Sequence, residues 1–131
     1  MMTVFSRIIA GEIPCYKVAE DDRYFAFLDI NPLNWGHTLV VPKHETDYIF
    51  DLDDEDFAGM TIFAKKVAAG IKKATGCRKV AMAVLGLEVP HAHIHLVPIN
   101  QEGDMNFARK IQNPDPGRMA EIAAAISDNL E

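Results

Sequence analysis

Three histidines alternate with apolar residues between positions 91 and 95 of the 131-residue chain. Side chains on a β-strand point alternately to its two faces, so an extended segment would present all three rings on one side. The residues between them are apolar and would face the core. The pattern therefore predicts a strand whose histidine face is open to a cleft; the histidines are His91, His93 and His95.

Imidazole rings in such a row are suited to the chemistry of phosphate esters and anhydrides. Their usual pKa of about 6.5 makes both protonation states accessible at neutral pH. A neutral ring can attack phosphorus through one nitrogen when the other nitrogen is held by a hydrogen bond to a carbonyl. A neighbouring ring can then donate to a phosphate oxygen or to the leaving group.

A metal site is the main alternative, because three imidazoles can bind a catalytic zinc ion. Same-face neighbours on a flat strand are roughly 6–7 Å apart, so adjacent rings would be too distant to stack and the row would span about 13 Å. Zinc needs its nitrogen ligands at about 2.0–2.1 Å from one point. Two of the rings could share an ion but all three could not, and we predict no bound metal.

The elements that position this run can be read from apolar patterning. Phe5, Ile8 and Ile9 indicate a helical turn that ends at Gly11. Five segments rich in apolar, β-branched or aromatic residues are bounded by turn-forming residues, which is typical of strands. These predicted strands cover 14–18, 24–28, 37–41, 79–85 and 91–99.

The longest helix is predicted over 53–75, where apolar residues recur at steps of three and four. Asp51 or Asp53 can cap its start, and Gly76 follows its end. A final helix is predicted from Asp115 to about residue 130. Strands in this order predict an α+β fold, a five-stranded antiparallel sheet with one long helix and a C-terminal helix.

The two remaining histidines are expected in different places. His37 opens the third predicted strand directly after Gly36. If that strand lies near the fifth, His37 would join the cluster of rings. His44 is expected on the surface at the start of a helix.

Length and charge limit the classes of protein that fit. The chain length favours one domain, residues 1–131. The net charge of −6 argues against general affinity for nucleic acid, although a local pocket can still bind a small phosphate. No segment has the roughly 20 apolar residues that span a bilayer, and no signal peptide is evident. Cys15 and Cys77 predict free thiols. Since neither a signal peptide nor a membrane span is evident, we expect a cytoplasmic protein without membrane partners.

The histidine run resembles the signature of the histidine triad (HIT) family, and residues 91–97 match it at every position. Residues 5–14 look like the opening segment of the family. Residues 27–32 resemble its nucleoside-binding turn, and residues 36–43 resemble the strand that follows. The resemblance covers a core of about residues 4–100, with a C-terminal helical extension over about 115–130.

This resemblance implies a fold and an activity. HIT proteins have a five-stranded antiparallel sheet and are usually homodimers. They cleave nucleoside phosphoramidates, acyl-adenylates or dinucleoside polyphosphates through a covalent nucleotidyl-histidine, without a cofactor. Here His93 would be the nucleophile, His95 and His37 would bind the phosphate, and His91 would support the network from behind.

The resemblance also implies a purine nucleotide partner and a nucleotide-binding set. Asp29 would accept hydrogen bonds from the ribose hydroxyls, although an aspartate before Ile-Asn-Pro could also serve only as a turn former. The base pocket would be apolar, although two of its members, Phe5 and Ile13, could equally be plain core residues. The candidates for the base pocket are Phe5, Ile13, Phe27 and Ile30.

Two stretches depart from the family pattern. Some bacterial relatives begin with Cys-x-x-Cys and bind a structural zinc, but residues 3–6 read Thr-Val-Phe-Ser here, so that zinc site is not expected. Glu88 stands where relatives carry a hydroxyl residue, beside Val89, and both are counted among the nucleotide-contacting residues. An ionised Glu88 would repel a phosphate by about 4 kcal/mol at 4 Å. It could point away, be protonated, form a surface ion pair, or face a cationic leaving group such as an amine.

Three functions therefore remain open from the sequence. The first is a nucleotide hydrolase or transferase that uses His93. The second is a nucleotide-binding regulator without catalysis. The third is a metal-dependent hydrolase that uses two of the histidines.

Overall fold

A computed structural model describes residues 2–130 of the chain. Three α-helices are present: α1 (Val4–Ile9), α2 (Asp54–Thr75) and α3 (Pro116–Asp128). Two short 3₁₀ turns cover Ile49–Asp51 and Glu102–Met105. The strands are β1 (Lys17–Glu20), β2 (Tyr24–Leu28), β3 (Thr38–Pro42), β4 (Lys79–Ala83) and β5 (Ile94–Ile99).

The five strands form one sheet in the order β1-β2-β3-β5-β4, and every neighbouring pair is antiparallel. The predicted α+β class, with a five-stranded antiparallel sheet, a long helix and a C-terminal helix, is confirmed. The β5 strand lies between β3 and β4, with His95 paired to Leu39 on one side and Ala83 on the other. The last histidine of the run is thereby fixed on an interior strand of the sheet.

Helices cover the two faces of the sheet unequally. The larger core lies under α2 and α3, and it includes Ala92, Ile94 and Leu96, as their alternation with the histidines predicted. A smaller aromatic core lies on the opposite face under α1, and Phe5 and Phe27 belong to it. Side chains of this second core also line a cavity.

The ends of the long helix follow the predicted capping chemistry. The Asp53 side chain accepts a hydrogen bond from the Asp56 N–H, which satisfies a donor that the first helical turn leaves open. Gly76 ends α2 in the left-handed conformation with a φ of 69°. The helix is therefore uninterrupted from its capping aspartate to its terminating glycine.

Some predicted boundaries are wrong. The fifth strand begins at Ile94 rather than at residue 91, because Ala92 N–H bonds to the Thr46 carbonyl in a loop instead of joining the ladder. The first strand begins at Lys17, since Pro14 lacks the N–H that a ladder needs. His44 is exposed as expected, but it lies in a loop after β3 and not at the start of a helix.

None of the helices among residues 2–130 is both long enough and apolar enough to cross a membrane. The predicted domain, residues 1–131, includes Met1 and Glu131, which lie outside the described residues.

Candidate active site

His93 is held so that one ring nitrogen is engaged and the other is left for a ligand. Its Nδ1–H donates to the backbone carbonyl of His91 at 2.8 Å. A carbonyl can only accept, so the neutral ring carries its proton on Nδ1 and an electron pair on Nε2. No hydrogen bond from another residue within 2–130 reaches Nε2, and the ring lines a cavity. This is the arrangement that nucleophilic attack by imidazole requires.

His91 lies behind this ring and is fixed at both of its nitrogens. Nε2–H donates to the Pro42 carbonyl at 2.8 Å, and Nδ1 lies 2.7 Å from the Thr3 hydroxyl. Since Nε2 carries the proton, the Thr3 hydroxyl donates to Nδ1 in the neutral ring. Burial lowers the pKa of His91, which keeps the ring neutral. The ring is 0% exposed, so the predicted open face does not extend to His91.

His37 and His95 form a hydrogen-bond relay that begins at the backbone. The Leu33 N–H donates to Nδ1 of His37 at 3.0 Å, so His37 carries its proton on Nε2. That Nε2 lies 2.9 Å from Nδ1 of His95, which must therefore accept. His95 in turn carries its proton on Nε2, the nitrogen left for the cavity. One backbone N–H thus fixes two tautomers and presents a hydrogen-bond donor to a ligand.

Both relay rings are uncharged at neutral pH. Burial is the largest cause that lowers the pKa of His37 to about 4, with Lys110 and His93 as the next causes. Burial also lowers the pKa of His95 to about 4, with His37 and His93 as the next causes. The relay therefore acts through oriented N–H groups rather than through imidazolium charge.

The distance between the two cavity-facing rings differs from the sequence-based expectation. The ring centroids of His93 and His95 are 4.9 Å apart, with the planes inclined by 59°. The predicted separation of roughly 6–7 Å assumed a flat strand. It is wrong because His93 precedes β5, so the spacing of a regular strand does not apply to this pair of rings.

The relay also decides how well the site suits a metal ion. Within residues 2–130, ligand atoms of Asp29, His37 and His95 lie within 4.8 Å of one another. A metal on His37 would need the Nε2 electron pair, but Nε2 carries the proton because Nδ1 accepts from Leu33. The donor set therefore fits a proton-carrying relay and does not fit a metal.

A cavity of about 510 Å³ opens beside His93 and His95. His37 and His91 lie behind it, whereas all seven residues of the predicted nucleotide-binding set line its wall. These seven are Phe5, Ile13, Phe27, Asp29, Ile30, Glu88 and Val89. The structure thus brings the predicted residues to one place, and the ligand that they hold stays a prediction.

Asp29 divides its two carboxylate oxygens between different neighbours. Oδ1 accepts the Asn31 N–H at 2.9 Å, which is the turn-forming role. Oδ2 lies 3.7 Å from Nε2 of His37 and belongs to the cavity wall. The turn role and a ribose-binding role are therefore compatible in one residue.

The sequence and the fold match known proteins. A model of the HIT domain matches residues 10–102. The chain belongs to the HIT family. An uncharacterized HIT-like protein of Borreliella burgdorferi is 35% identical over 97% of each sequence. Adenylylsulfatase HINT3 of Arabidopsis thaliana is 36% identical over 72% of this chain and 51% of its own length.

Solved structures of HIT proteins share the fold. A crystal structure of a HIT-like protein involved in cell-cycle regulation from Bartonella henselae has a TM-score of 0.85. The two sequences are 32% identical, and the alignment covers 98% of this chain and 96% of the Bartonella henselae protein. At this identity and coverage the two proteins share the fold along nearly the whole of both chains.

Several side chains at the site of this HIT protein were missed in the sequence, among them Phe107, Lys110 and Thr3. Phe107 and Lys110 line the cavity from the segment after β5, which lies beyond the stretch that resembles the family. Thr3 was considered only as a lost zinc ligand, yet its hydroxyl bonds to His91. A phenylalanine and a lysine three residues apart in an irregular segment were the available signal, but nothing in the sequence says where that segment lies.

The stability of the fold is expected to fall on acidification from pH 6.5 to pH 4. The unfolded chain protonates its histidines near pH 6.5, whereas His37 and His95 stay neutral in the fold down to about pH 4. The unfolded state therefore binds more protons between pH 6.5 and pH 4. Each such histidine lowers the free energy of unfolding by roughly 3 kcal/mol over this range. Urea unfolding at pH 7.5, 5.5 and 4.5 would measure this loss.

A matched pair of variants separates the relay from general acid effects. His95→Asn is expected to lose less stability between pH 7.5 and 4.5 than the wild type. His44→Asn, at an exposed position, is expected to follow the wild type. Equal acid sensitivity of all three proteins would contradict the assignment to the relay.

Proposed function

We propose that this protein is a nucleotide hydrolase or transferase that acts through a covalent nucleotidyl-His93. Its substrate would be a phosphoramidate, an acyl-adenylate or a dinucleoside polyphosphate, and AMP or another nucleoside monophosphate would be released. The observation that carries the proposal is the His93 ring, whose Nδ1 is held by the His91 carbonyl at 2.8 Å while Nε2 is left to the cavity. The relative named as an adenylylsulfatase supports an adenylyl substrate.

Each ring has one part in the proposed reaction. Nε2 of His93 forms the bond to phosphorus as the bond to the leaving group breaks, and the electron pair goes to the leaving atom. The Nε2–H of His95 is oriented by His37 to donate toward the leaving atom or a phosphate oxygen. A departing amine leaves with a proton passed through His95, and the water that hydrolyses the nucleotidyl-histidine returns one.

The cavity has a place for the rest of a purine nucleotide. We assign the base to the apolar wall and the ribose hydroxyls to Oδ2 of Asp29. Phe5 supports this division, because its ring lies edge-on to both His93 at 4.9 Å and Phe27 at 5.5 Å. The base would thus lie near the ring that attacks phosphorus.

Incubation with adenosine 5′-phosphoramidate, with and without a chelator, tests the proposal. We expect AMP release that the chelator leaves unchanged. Loss of turnover in the chelator would instead indicate a metal-dependent hydrolase. Tight AMP binding without turnover would contradict catalysis and support a nucleotide-binding regulator.

Thr3 is expected to act on the reaction through His91. Its hydroxyl donates to His91, whose carbonyl in turn holds His93. Thr3→Val should lower kcat about tenfold, the equivalent of one lost hydrogen bond, and leave KM unchanged. Thr3→Ser keeps the hydroxyl and should restore kcat. Steady-state kinetics of both variants would check this, and a matching loss in Thr3→Ser would contradict it.

We also propose a homodimer formed through β4 and the neighbouring face of α2. The β4 strand is an edge of the sheet, and edge strands leave backbone groups open for pairing. Met82 on β4 and Ile62 on α2 are 61% and 57% exposed, which is unusual for large apolar residues in regular elements. A two-fold contact would cover both at once.

Met82→Lys is expected to convert a dimer into a monomer. Light scattering coupled to size exclusion would measure the mass of each protein. Ala120→Lys places the same charge on an exposed position of α3 and is expected to leave the dimer intact. A wild-type mass of 14.6 kDa, that of one chain, would contradict the proposal.

A further inference from the structure

The segment between β5 and α3, which we call the return segment (residues 101–113), folds back to the cavity. Phe107 lies edge-on to His95, with ring centroids 5.0 Å apart and planes inclined by 84°. Ile111 N–H bonds to the Pro32 carbonyl at 2.8 Å, and this ties the return segment to the turn that carries Asp29. Lys110, next to this bond, lines the cavity. The return segment thus places a lysine beside the relay histidine.

The charges on the cavity wall are few. Of the described residues that line it, Lys110 is the only lysine or arginine, and the acids are Asp29 and Glu88. Asp29 is engaged with Asn31 and lies near His37. Lys110 and Glu88 are exposed and take part in no ion pair among residues 2–130. Two opposite charges therefore face the cavity without a protein partner from this part of the chain.

The field of Lys110 reaches the relay. After burial, its positive charge is the next cause that lowers the pKa of His37, and it also lowers the pKa of His95. With both rings neutral, the relay contributes oriented N–H groups but no charge. A negative group near His95 therefore has Lys110 as its cationic partner.

We infer that Lys110 is a specificity-determining residue that binds a negative group on the leaving-group side of the substrate. This inference rests on the proposed function. Phe107 places the return segment against His95, which is the ring proposed to donate to the leaving atom. The substrate class is then a nucleoside monophosphate joined to a moiety that carries a carboxylate, a sulfate or a further phosphate.

Glu88 has the opposite charge and lines the same cavity from the turn before the histidine run. An acidic leaving group would be repelled by Glu88 and attracted by Lys110. Lys110 dominates for such a group because it lies on the segment that contacts His95. A series of amine leaving groups of similar size and different charge therefore separates the two residues.

Three adenosine 5′-phosphoramidates provide that series, because each has the same P–N bond. The three leaving amines differ in the group at their far end. β-Alanine carries a carboxylate, propylamine carries no charge, and ethylenediamine carries an ammonium group. We expect the wild type to favour β-alanine over propylamine about fivefold in kcat/KM, the effect of one exposed ion pair. Lys110→Met should abolish this preference, and Lys110→Arg should retain it.

Two further variants serve as controls. Arg109→Gln removes the same charge from a neighbour that does not line the cavity, and it should leave the preference intact. Glu88→Gln should increase the preference for β-alanine and reduce turnover of the ethylenediamine compound. The inference is overturned if the wild type has no preference for β-alanine. It is also overturned if Lys110→Met keeps the preference or if Arg109→Gln loses it equally.

The proposed function and the role of Lys110 can fail separately. Turnover of the neutral propylamine compound, and its loss in His93→Ala, reports on the proposed function alone. The dissociation constants of the three compounds for His93→Ala report on Lys110 without turnover. The inference is supported if the β-alanine compound binds fivefold more tightly and Lys110→Met abolishes this difference. Equal binding of all three compounds contradicts the inference.

Discussion

Replacement of His93 by alanine is expected to lower kcat for AMP release from adenosine 5′-phosphoramidate by about 10⁴-fold or more. The reason lies in the hydrogen bonds of the site. His91 has both nitrogens engaged, and the Nδ1 of His95 accepts from His37. Nε2 of His95 carries a proton, so His93 alone among the cavity rings within residues 2–130 presents an electron pair to phosphorus.

A single-turnover experiment distinguishes loss of the nucleophile from loss of the fold. With labelled phosphoramidate and rapid quenching, the wild type should form an acid-labile adduct on His93 that His93→Ala lacks. His44→Ala removes an exposed histidine and should keep full activity. Unchanged unfolding transitions in both variants would show that the fold is intact. Activity of His93→Ala above about one hundredth of the wild type would contradict a covalent nucleotidyl-histidine.

The sheet and helices could be predicted because apolar patterning and capping agree along most of the chain. Tyr24–Leu28 is a strand whose five residues are all buried, and its uniformly apolar sequence indicates a strand covered on both faces. The α2 helix has both a capping aspartate and a terminating glycine, so its end was clear and its start was narrowed to two aspartates. The predicted fifth strand is too long at its start, because the Ala92 N–H bonds to a loop carbonyl although the apolar pattern continues through it.

The site could be predicted only to the extent that side chains, rather than backbone groups, determine it. Alternation placed the histidines together but could not choose among them, and the choice of His93 came from family resemblance. What distinguishes the rings is a set of backbone groups: the carbonyls of His91 and Pro42 and the N–H of Leu33. Backbone groups have the same chemistry in every residue, so the sequence contains no sign of which of them will face a ring.

The contribution of Lys110 was hidden for a related reason. Irregular segments have no periodic pattern, and their course depends on a few contacts that are distant in sequence. The hydrogen bond from Ile111 to Pro32 joins residues that are 79 positions apart. Charge assignments made from the motif alone therefore included Glu88 but omitted the cation on the same cavity wall.

Removal of His95 is expected to have the second largest effect, a loss of about 10²- to 10³-fold in kcat from His95→Ala. His95 supplies the oriented N–H donor, and its orientation depends on His37. His37→Leu should therefore cost part of the same loss, about tenfold or more, because Nδ1 and Nε2 of His95 then compete for the proton. KM should change little, since the N–H acts mainly on charge that develops during bond cleavage.

The double variant gives the sharper test of the relay. If His37 acts only through His95, then His37→Leu combined with His95→Ala should be no slower than His95→Ala alone. His37→Gln keeps an N–H that can reach Nδ1 of His95 and should recover most of the activity. Nitrogen NMR of His95 should report a proton on Nε2 in the wild type and a mixture of tautomers in His37→Leu. Additive losses in the double variant, with an unchanged His95 tautomer, would contradict the relay and assign His37 a separate contact with the substrate.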